Sequence, residues 1–350
     1  MPIGHLDMDA FFARCEELRN PELEEKPLVI CVYTREGESG AVSTSNYEAR
    51  ELGIGSGMPL KEARAKATEE TVFLPVDHDY YREKSREAMS VLRSRSSRVQ
   101  KASIDEAYFE LDGRPVEKAK KIQAELESEG LSASIGIAPN KFLAKMASEE
   151  DKPGGLTRLR EEEAEDFLRE KSVGEIHGIG DATEKKLEDA GIETCGELLE
   201  AENALMVELF GKKKAVSMKA KASGEGSTEL GDRERKQMSR IRTMPRNSSD
   251  YGFLKRQLGL TCRELWERVK NRDKAFTKVA LVAIDTELNS YTRSRSVKTT
   301  ESGERMFREA DRLLQRLLSE TDAEFRRIGF RVAGFVDKEK QTSLDTFALQ

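Results

Sequence analysis

Two short apolar runs that carry carboxylates constrain this chain more than any other feature of its sequence. Residues 3–11 read I-G-H-L-D-M-D-A-F and residues 102–109 read A-S-I-D-E-A-Y-F, and both runs look like strands. Burying a carboxylate beside a core is costly unless a partner neutralises it. Neither run contains a lysine or an arginine, so a metal ion is the expected partner. Oxygen ligands suit Mg²⁺, and carboxylates from two adjacent strands could hold two ions for displacement at phosphorus.

The carboxylates in question are Asp7, Asp105 and Glu106. Asp105 and Glu106 are adjacent, so on a regular strand their side chains would point to opposite faces. A turn or bulge there could direct both toward one metal pair. Taken alone, the Asp-Glu pair could also be a charged hairpin tip, and the presence of Asp7 in a second strand-like run favours the metal site.

The charge distribution indicates a nucleic-acid partner for one part of the chain. The net charge is −6, but residues 233–340 contain 26 lysines and arginines against 16 aspartates and glutamates. A basic C-terminal third on an acidic body indicates a dedicated anion-binding domain. The alternative is an ordinary surface of paired charges.

Cysteine, histidine and hydropathy patterns exclude several classes of protein. The four cysteines form no CxxC pair and the three histidines are isolated, which predicts a reducing cytoplasm and no zinc site. No apolar stretch approaches the roughly 20 residues that span a membrane. Aspartates interrupt the first apolar run, so we expect neither a signal peptide nor a membrane partner.

The order of elements predicts an α+β multidomain protein. Strand and helix signals up to about residue 150 are compatible with a ferredoxin-like core that carries an insertion. A helix is expected to begin at Ser45, with Glu48 completing a capping box. Residues 161–224 read as wholly helical, a polar linker follows, and a second βαββαβ unit ends near residue 340.

Three short segments could contact phosphates. Tyr47 and Arg50 are three residues apart, hence on one helical face that suits a triphosphate, although such spacing is also common on surface helices. Lys152 lies in a turn after a helix, where a plain helix end is the alternative. Gly178 and Gly180, in I-H-G-I-G, have the form of a helix-hairpin-helix, whose glycines let main-chain N–H groups approach a phosphate.

Arginines at even spacing mark the strands predicted in the basic third. Residues i and i+2 share a face of a strand, so three strands could present one basic face to a phosphate backbone. An outer face with no ligand is the alternative reading. The arginines are Arg240, Arg242, Arg293, Arg295, Arg327 and Arg331.

Together these motifs resemble the Y-family, or translesion, DNA polymerases of the polymerase IV type. The most specific matches are D-M-D-A-F-F at 7–12, S-N-Y-E-A-R at 45–50, A-S-I-D-E-A-Y at 102–108 and G-I-A-P-N-K-F-L-A-K at 136–145. The resemblance implies a right-hand fold in five parts with a tail. These are a ferredoxin-like palm (1–10 and 77–165), small fingers (11–76), a helix-hairpin-helix thumb (166–228), a linker (229–239), a little finger (240–340) and a clamp-binding tail (341–350).

The resemblance also implies roles for single residues. Asp7, Asp105 and Glu106 would hold two Mg²⁺ ions with the main-chain carbonyl of Met8, and Phe12 would pack against the sugar and exclude a 2′-hydroxyl. The incoming deoxynucleoside triphosphate would be contacted by Tyr47, Arg50 and Lys152. The implied partners are primer-template DNA and a sliding clamp, the latter bound by Gln341, Leu344 and Phe347.

The expected activity is low-fidelity, template-directed synthesis across lesions by a monomer. Small residues near the nucleotide site favour low fidelity, because an open site discriminates weakly by shape. The usual clamp-binding box ends in two aromatics, and Ala348 in the second place predicts weaker clamp binding. Two alternatives stay open: a nucleotidyl cyclase-like enzyme, which needs no basic second domain, and a non-catalytic DNA-binding module, in which the carboxylates are dispensable.

Overall fold

The two carboxylate-bearing runs form neighbouring strands of one sheet in the computed structural model, which describes residues 1–33, 40–231, 234–272, 274–300 and 302–337. The chain divides into two units, Met1–Asp232 and Arg233–Gln350. Within the described residues, no helix is long and apolar enough to cross a membrane.

The first unit contains eight strands and eleven α-helices in its described part. The strands are β1 (Ile3–Met8), β2 (Leu28–Tyr33), β3 (Gly40–Ser45), β4 (Val72–Pro75), β5 (Val99–Lys101), β6 (Glu106–Glu110), β7 (Ala133–Ala138) and β8 (Leu156–Arg158). The helices are α1 (Phe11–Arg19), α2 (Tyr47–Glu51), α3 (Leu60–Lys66), α4 (His78–Arg95), α5 (Pro115–Ser128), α6 (Lys141–Glu149), α7 (Ala164–Arg169), α8 (Asp181–Glu188), α9 (Cys195–Glu200), α10 (Asn203–Phe210) and α11 (Lys212–Ala222). Short 3-10 helices lie at Pro21–Leu23, Glu161–Glu163 and Val173–Glu175.

A five-stranded sheet with the order β5-β6-β1-β7-β8 is the centre of this unit. β1 is its middle strand and pairs antiparallel with both β6 and β7. Because side chains alternate along a strand, Leu6 and Met8 enter the core shared with α4 and α5. His5 and Asp7 point to the opposite face, toward α6 and the turn after it. The strand therefore holds a core on one face and charged groups on the other.

Gly136 allows α6 to pack closely on the central sheet. A Cβ atom at Gly136 would lie 2.0 Å from the carbonyl oxygen of Ala144 and 2.4 Å from the main-chain nitrogen of Ser148. These are main-chain atoms that cannot move aside, so only glycine permits this approach. The close packing brings the C-terminal end of α6 next to β1.

A smaller sheet with the order β3-β2-β4 and the helical part that follows the central sheet complete the first unit. The expected wholly helical stretch is confirmed by α7 to α11. The helix expected to begin at Ser45 begins later. Ser45 ends β3, and Asn46 caps α2 by accepting a hydrogen bond from the main-chain nitrogen of Ala49. The capping box with Glu48 is therefore wrong, because strand pairing with β2 extends through Ser45.

The linker expected over 229–239 is shorter in the structure. Leu230 is buried in the core of the first unit, and Lys141 donates a hydrogen bond to the carbonyl oxygen of Glu229. In the second unit a strand already begins at Gln237. Neither Leu230 nor the first residues of that strand can therefore count as linker.

The second unit is the predicted βαββαβ unit. Its elements are β9 (Gln237–Ser248), α12 (Tyr251–Val269), β10 (Lys274–Asp285), β11 (Ser290–Thr300), α13 (Gly303–Glu320) and β12 (Phe325–Asp337). The strands form one antiparallel sheet with the order β11-β10-β12-β9. Apolar residues of α12 and α13 cover one face of the sheet. The opposite face, which no described helix of this unit covers, is called the open face below.

Candidate functional site

Asp7 and Glu106 lie directly opposite each other on β1 and β6. Residues that are paired across antiparallel strands share a face, so both carboxylates point to the same side of the sheet. Glu149, at the end of α6, joins them, and ligand oxygens of the three residues lie within 4.8 Å of one another. Among the described residues this is the group of carboxylates that could hold a metal ion, and we call it the three-carboxylate group.

Two lysines from outside the apolar runs pair with this group. Lys152 Nζ lies 3.0 Å from Asp7 Oδ2 and 2.8 Å from Glu149 Oε2. Lys145, on α6, forms a close ion pair with Glu106. Tertiary packing therefore brings to these carboxylates two lysines that the prediction of a metal ion did not include. Lys145 and Glu149 are four residues apart on α6, a spacing that the sequence contains and that pattern reading missed.

The buried setting shifts the pKa values in the group in opposite directions. Burial raises the pKa of Asp7, and the charge of Lys152 opposes that rise. Burial would also raise the pKa of Glu106, but the hydrogen bond and charge of Lys145 outweigh it and lower that pKa. Burial, and then the charge of Lys145, lowers the pKa of His5 to about 3. His5 is therefore neutral, and its Nδ1 is within 2.8 Å of the Ser148 hydroxyl.

Asp105 is placed differently from Asp7 and Glu106. It lies in the turn before β6, and its carboxylate contacts the Ser103 hydroxyl rather than the three-carboxylate group. The same hydroxyl accepts hydrogen bonds from the main-chain nitrogens of Asp105 and Glu106, at 3.2 and 2.9 Å. The carbonyl oxygen of Asp105 accepts a hydrogen bond from Met8 N at 3.1 Å. The turn expected at this point is thus present, with Asp105 next to the group but outside it.

Asp9 holds the turn that carries Lys152. It is 5% exposed and accepts hydrogen bonds from the Ser132 and Ser134 hydroxyls and from the main-chain nitrogen of Gly154. Three donors satisfy this buried carboxylate without a cation. Asp9 therefore links the end of β1 to the start of β7 and to the Lys152 turn. The sequence did not reveal this role of Asp9.

Tyr47 and Arg50 lie together at the start of α2, as their spacing predicts. The Arg50 guanidinium sits 4.7 Å from the centroid of the Tyr47 ring, and its Nε donates to the carbonyl oxygen of Ser45. The Tyr47 hydroxyl is buried without a hydrogen-bond partner, and burial raises its pKa. Tyr47 also lines a cavity of about 480 Å³ together with Asp9 and Pro153. On this side of the site, the Tyr47 hydroxyl could therefore form a hydrogen bond that the protein itself does not provide.

Met8 follows Asp7 directly on β1, and Phe12 lies in the helix that comes next. Met8 is the last residue of β1, and its side chain is 2% exposed in the core, so only its main chain is available to the site. Phe12 is half-buried in the first turn of α1, and its ring stacks on that of Tyr81.

Of the two glycines in the helix-hairpin-helix segment, only one has a backbone conformation that favours glycine. Gly178 has a φ of +100°, which favours glycine, and a Cβ there would lie 2.9 Å from Lys221 Nζ. Gly180 has an ordinary φ of −112° and caps α8 without a side-chain hydrogen bond. A Cβ at Gly180 would have no neighbour within 4 Å, so packing does not require glycine at this position.

The prediction that six arginines of the second unit share one basic face is wrong for four of them. Arg240 and Arg242 are paired in register with Phe330 and Ile328, which belong to the core. Both arginines form ion pairs with Glu264 of α12.

The arginines of β11 lie on the same covered face. Arg293 and Arg295 are paired with core residues of β10 and form ion pairs with Glu320 and Glu309 of α13. Even spacing placed each pair correctly on one face, but it did not show which face.

Arg327 and Arg331 lie on the open face of this sheet. Register and alternation place there Ser239, Ile241, Thr243, Lys278, Ala280, Val282, Ile284, Thr292, Ser294, Ser296, Lys298, Arg327, Gly329, Arg331 and Ala333. These positions contain four cations, several hydroxyls and no carboxylate. The open face is therefore positive although the chain as a whole is acidic. The clamp-binding residues Gln341, Leu344 and Phe347 lie outside the described residues.

Comparison with known proteins decides the family. Residues 6–149 match the impB/mucB/samB family, and residues 235–345 match its C-terminal domain. DNA polymerase IV 1 of Methanosarcina mazei is 38% identical over 97% of both chains. DNA polymerase IV of Nitrosopumilus maritimus is 33% identical over 99% of this chain and 98% of its own.

Solved structures agree with these relatives. A Y-family DNA polymerase chimera, Dbh-Dpo4(243-245)-Dbh, is 32% identical and superposes with a TM-score of 0.88 over 97% of this chain and all of its own. An insertion ternary complex of Dbh DNA polymerase is 31% identical, with a TM-score of 0.68 over 97% of this chain and all of its own. The chain belongs to the Y-family of DNA polymerases.

Membership of the Y-family confirms the fold class and the activity that the sequence predicted. The chain is an α+β multidomain, DNA-directed DNA polymerase of the translesion type, which implies a divalent metal. The three-carboxylate group is compatible with such a metal. The cyclase-like enzyme and the non-catalytic DNA-binding module are not supported.

Proposed function

We propose that this Y-family polymerase adds deoxynucleotides to a primer 3′ end by two-metal nucleotidyl transfer at Asp7 and Glu106. The observation that carries the proposal is the register of β1 against β6, which places these carboxylates opposite each other. Tertiary packing adds Lys152 on the same side of the sheet, 3.0 Å from Asp7. Carboxylates beside a lysine are suited to a phosphate transfer in which charge must be neutralised.

The residues at the site fit Mg²⁺ as the resident metal. The three-carboxylate group offers oxygen ligands only, and those oxygens are close enough together to share an ion. Asp7 and Glu106 would hold the ions with the Met8 carbonyl, and Asp105 would join after its carboxylate turns away from Ser103. When bound, two such ions supply positive charge at the attacking and leaving oxygens.

The protein's own residues orient the triphosphate. Lys152 pairs with Asp7, Arg50 packs on the ring of Tyr47, and the Tyr47 hydroxyl is available for a hydrogen bond. Arg50 can use its guanidinium in fork geometry against phosphate oxygens. Positioning of the triphosphate next to the primer accounts for much of the expected rate enhancement. His5 is fully buried, so we propose that water rather than His5 accepts the proton of the primer hydroxyl.

Primer-template DNA is held, in this proposal, by the N-terminus of α8 and by the open face of the second unit. Gly180 leaves main-chain N–H groups of α8 accessible to a phosphate. Lys278, Lys298, Arg327 and Arg331 supply the charge of the open face. The absence of carboxylates among the open-face positions supports this assignment, because phosphate contacts dominate non-specific affinity.

We assign the predicted parts of the hand to the described elements. The palm would comprise the five-stranded sheet with α4 to α6, and the fingers the β3-β2-β4 sheet with α1 to α3. The thumb would run from within α7 to α11, and the little finger would be the second unit. We further propose that the enzyme acts as a cytoplasmic monomer that a sliding clamp recruits through residues 341–350. The sequence pattern of the tail supports the last assignment.

Primer extension with Mg²⁺ tests the catalytic assignment. Wild type should extend a primer according to the template, and Asp105→Ala should not. Asp112→Ala is the matched control, because Asp112 is an exposed carboxylate in the same segment that pairs with Lys118. DNA binding with full extension by Asp105→Ala would refute the role of Asp105.

Template lesions test the specificity of the enzyme. On a template with an abasic site, synthesis should continue past the lesion, because an open site tolerates irregular template geometry. Arrest at the lesion, as in a replicative polymerase, would contradict the expected lesion bypass.

A further inference from the structure

The ring of Phe12 rests on a second aromatic ring. Its centroid lies 4.3 Å from that of Tyr81, with an interplanar angle of 18°, and His78 meets it edge-on at 6.4 Å. Phe12 itself is half-buried, so part of its ring remains accessible to a ligand. Movement of this ring toward the protein interior would have to displace Tyr81.

Tyr81 is fixed at both ends by α1. The residue is fully buried, and its hydroxyl donates a hydrogen bond to Glu16 Oε1 at 2.7 Å. Glu16 lies four residues after Phe12, so both side chains emerge from one face of the helix. The same helix face therefore covers the ring of Tyr81 with Phe12 and holds its hydroxyl with Glu16.

The hydrogen bond between Tyr81 and Glu16 belongs to a larger network of contacts between α1 and α4. Burial first, and then Glu16, raises the pKa of Tyr81, so the hydroxyl remains a donor. Glu16 is 5% exposed and also lies 3.6 Å from Arg19. Arg19 stacks on Tyr80 and pairs with Asp77, the N-cap residue of α4. Tyr81 thus has little freedom to move.

We infer that Tyr81, held in place by Glu16, is the positioning residue that keeps the Phe12 ring rigid enough to exclude ribonucleotides. The inference rests on the proposed role of Phe12 at the sugar. A 2′-hydroxyl that presses on the ring can be accommodated only if the ring moves, and Tyr81 blocks movement on its side. Sugar selectivity therefore depends on a residue that does not touch the nucleotide.

Selectivity between deoxy- and ribonucleotides tests the inference. The assay measures kcat/KM for one correct deoxynucleotide and for the matching ribonucleotide on one preparation, so that any inactive fraction cancels in the ratio. Loss of the stacked ring in Tyr81→Leu should lower the ratio about tenfold, mainly through a lower KM for the ribonucleotide. Tyr81→Phe keeps the ring but loses the hydrogen bond to Glu16, so it should lower the ratio only about threefold, as Glu16→Ala should. Tyr251→Leu, at an exposed tyrosine of α12 in the second unit, should leave the ratio unchanged.

Two further variants separate the possible outcomes. If Phe12→Ala lowers the ratio and Tyr81→Leu does not, the inference about Tyr81 is overturned while the proposed role of Phe12 stands. If Phe12→Ala leaves the ratio unchanged, the role of Phe12 fails and the inference fails with it. Should Tyr81→Leu not fold, Glu16→Ala frees the hydroxyl but keeps the ring, and should lower the ratio about threefold. No change in Glu16→Ala would then refute the inference.

Discussion

The open face of the second unit makes a quantitative prediction about salt. Arg327 and Arg331 lie on that face, whereas Arg240 and Arg242 lie on the helix-covered face and pair with Glu264. Each phosphate contact contributes about −0.9 to the slope of log K against log salt concentration. Loss of both open-face arginines should therefore flatten the slope by about 1.8. Between about 50 and 200 mM salt, wild type should lose roughly tenfold more affinity than the variant.

Fluorescence anisotropy with a labelled primer-template measures this slope directly. The test variant is Arg327→Gln with Arg331→Gln, and the matched control is Arg240→Gln with Arg242→Gln. Both variants remove two positive charges, so a general effect of net charge would change both slopes equally. We expect the control slope to stay close to that of wild type. Equal flattening in the two variants would refute the assignment of the faces.

Three further changes test other parts of the enzyme. Gly136→Ala should lower the free energy of unfolding by about 1–3 kcal/mol, because the added methyl group would overlap the main chain of α6. Thermal melts measure this change, with Gly55→Ala, at a position where a methyl group has space, as the control. Glu149→Gln should raise the KM for nucleotide about two- to fivefold, because Lys152 loses one carboxylate partner; a higher Mg²⁺ requirement at unchanged KM would instead identify Glu149 as a metal ligand. Deletion of residues 341–350 should leave unassisted extension intact and abolish stimulation by a sliding clamp, and persistent stimulation would exclude the tail as the binding site.

Most elements could be predicted from the sequence because their hydrophobic period is long enough to recognise. The strands and helices of the second unit are examples, since each covers eleven or more residues. β4 and β8 have only four and three residues, too few for a hydrophobic period to be recognised in the sequence. Both strands depend on parallel pairing with a strand that is distant in the sequence.

Two carboxylates of the candidate site, Asp7 and Glu106, were predictable from the sequence, whereas Glu149 and the ion pairs with lysines were not. Asp7 and Glu106 stand out because a charge within an apolar strand is unusual. Lys145 is 39 residues away from Glu106, so only the packing of α6 on the sheet brings them together. No local pattern reports such a contact, although the lysine spacing along α6 offers a hint.

The prediction that the arginines share one basic face failed, although the sequence contains the information needed to correct it. Met238 and Met244 have the same parity on β9 as Arg240 and Arg242, and both methionines are buried in the core. Apolar residues at matching parity therefore identify the covered face. Without that comparison, arginine spacing shows only that two arginines share a face. It does not show whether helices cover that face.

Single-turnover incorporation of one deoxynucleotide tests the central claim most directly. The comparison is Glu106→Gln with Glu110→Gln, because Glu110 lies on the same strand and pairs with Arg98 instead of the site. We expect Glu106→Gln to lower the maximal rate about a hundred- to thousandfold, with nucleotide affinity changed less than about threefold. Glu110→Gln should retain the wild-type rate. An undiminished rate in Glu106→Gln, or an equal loss in both variants, would contradict catalysis at the Asp7–Glu106 pair.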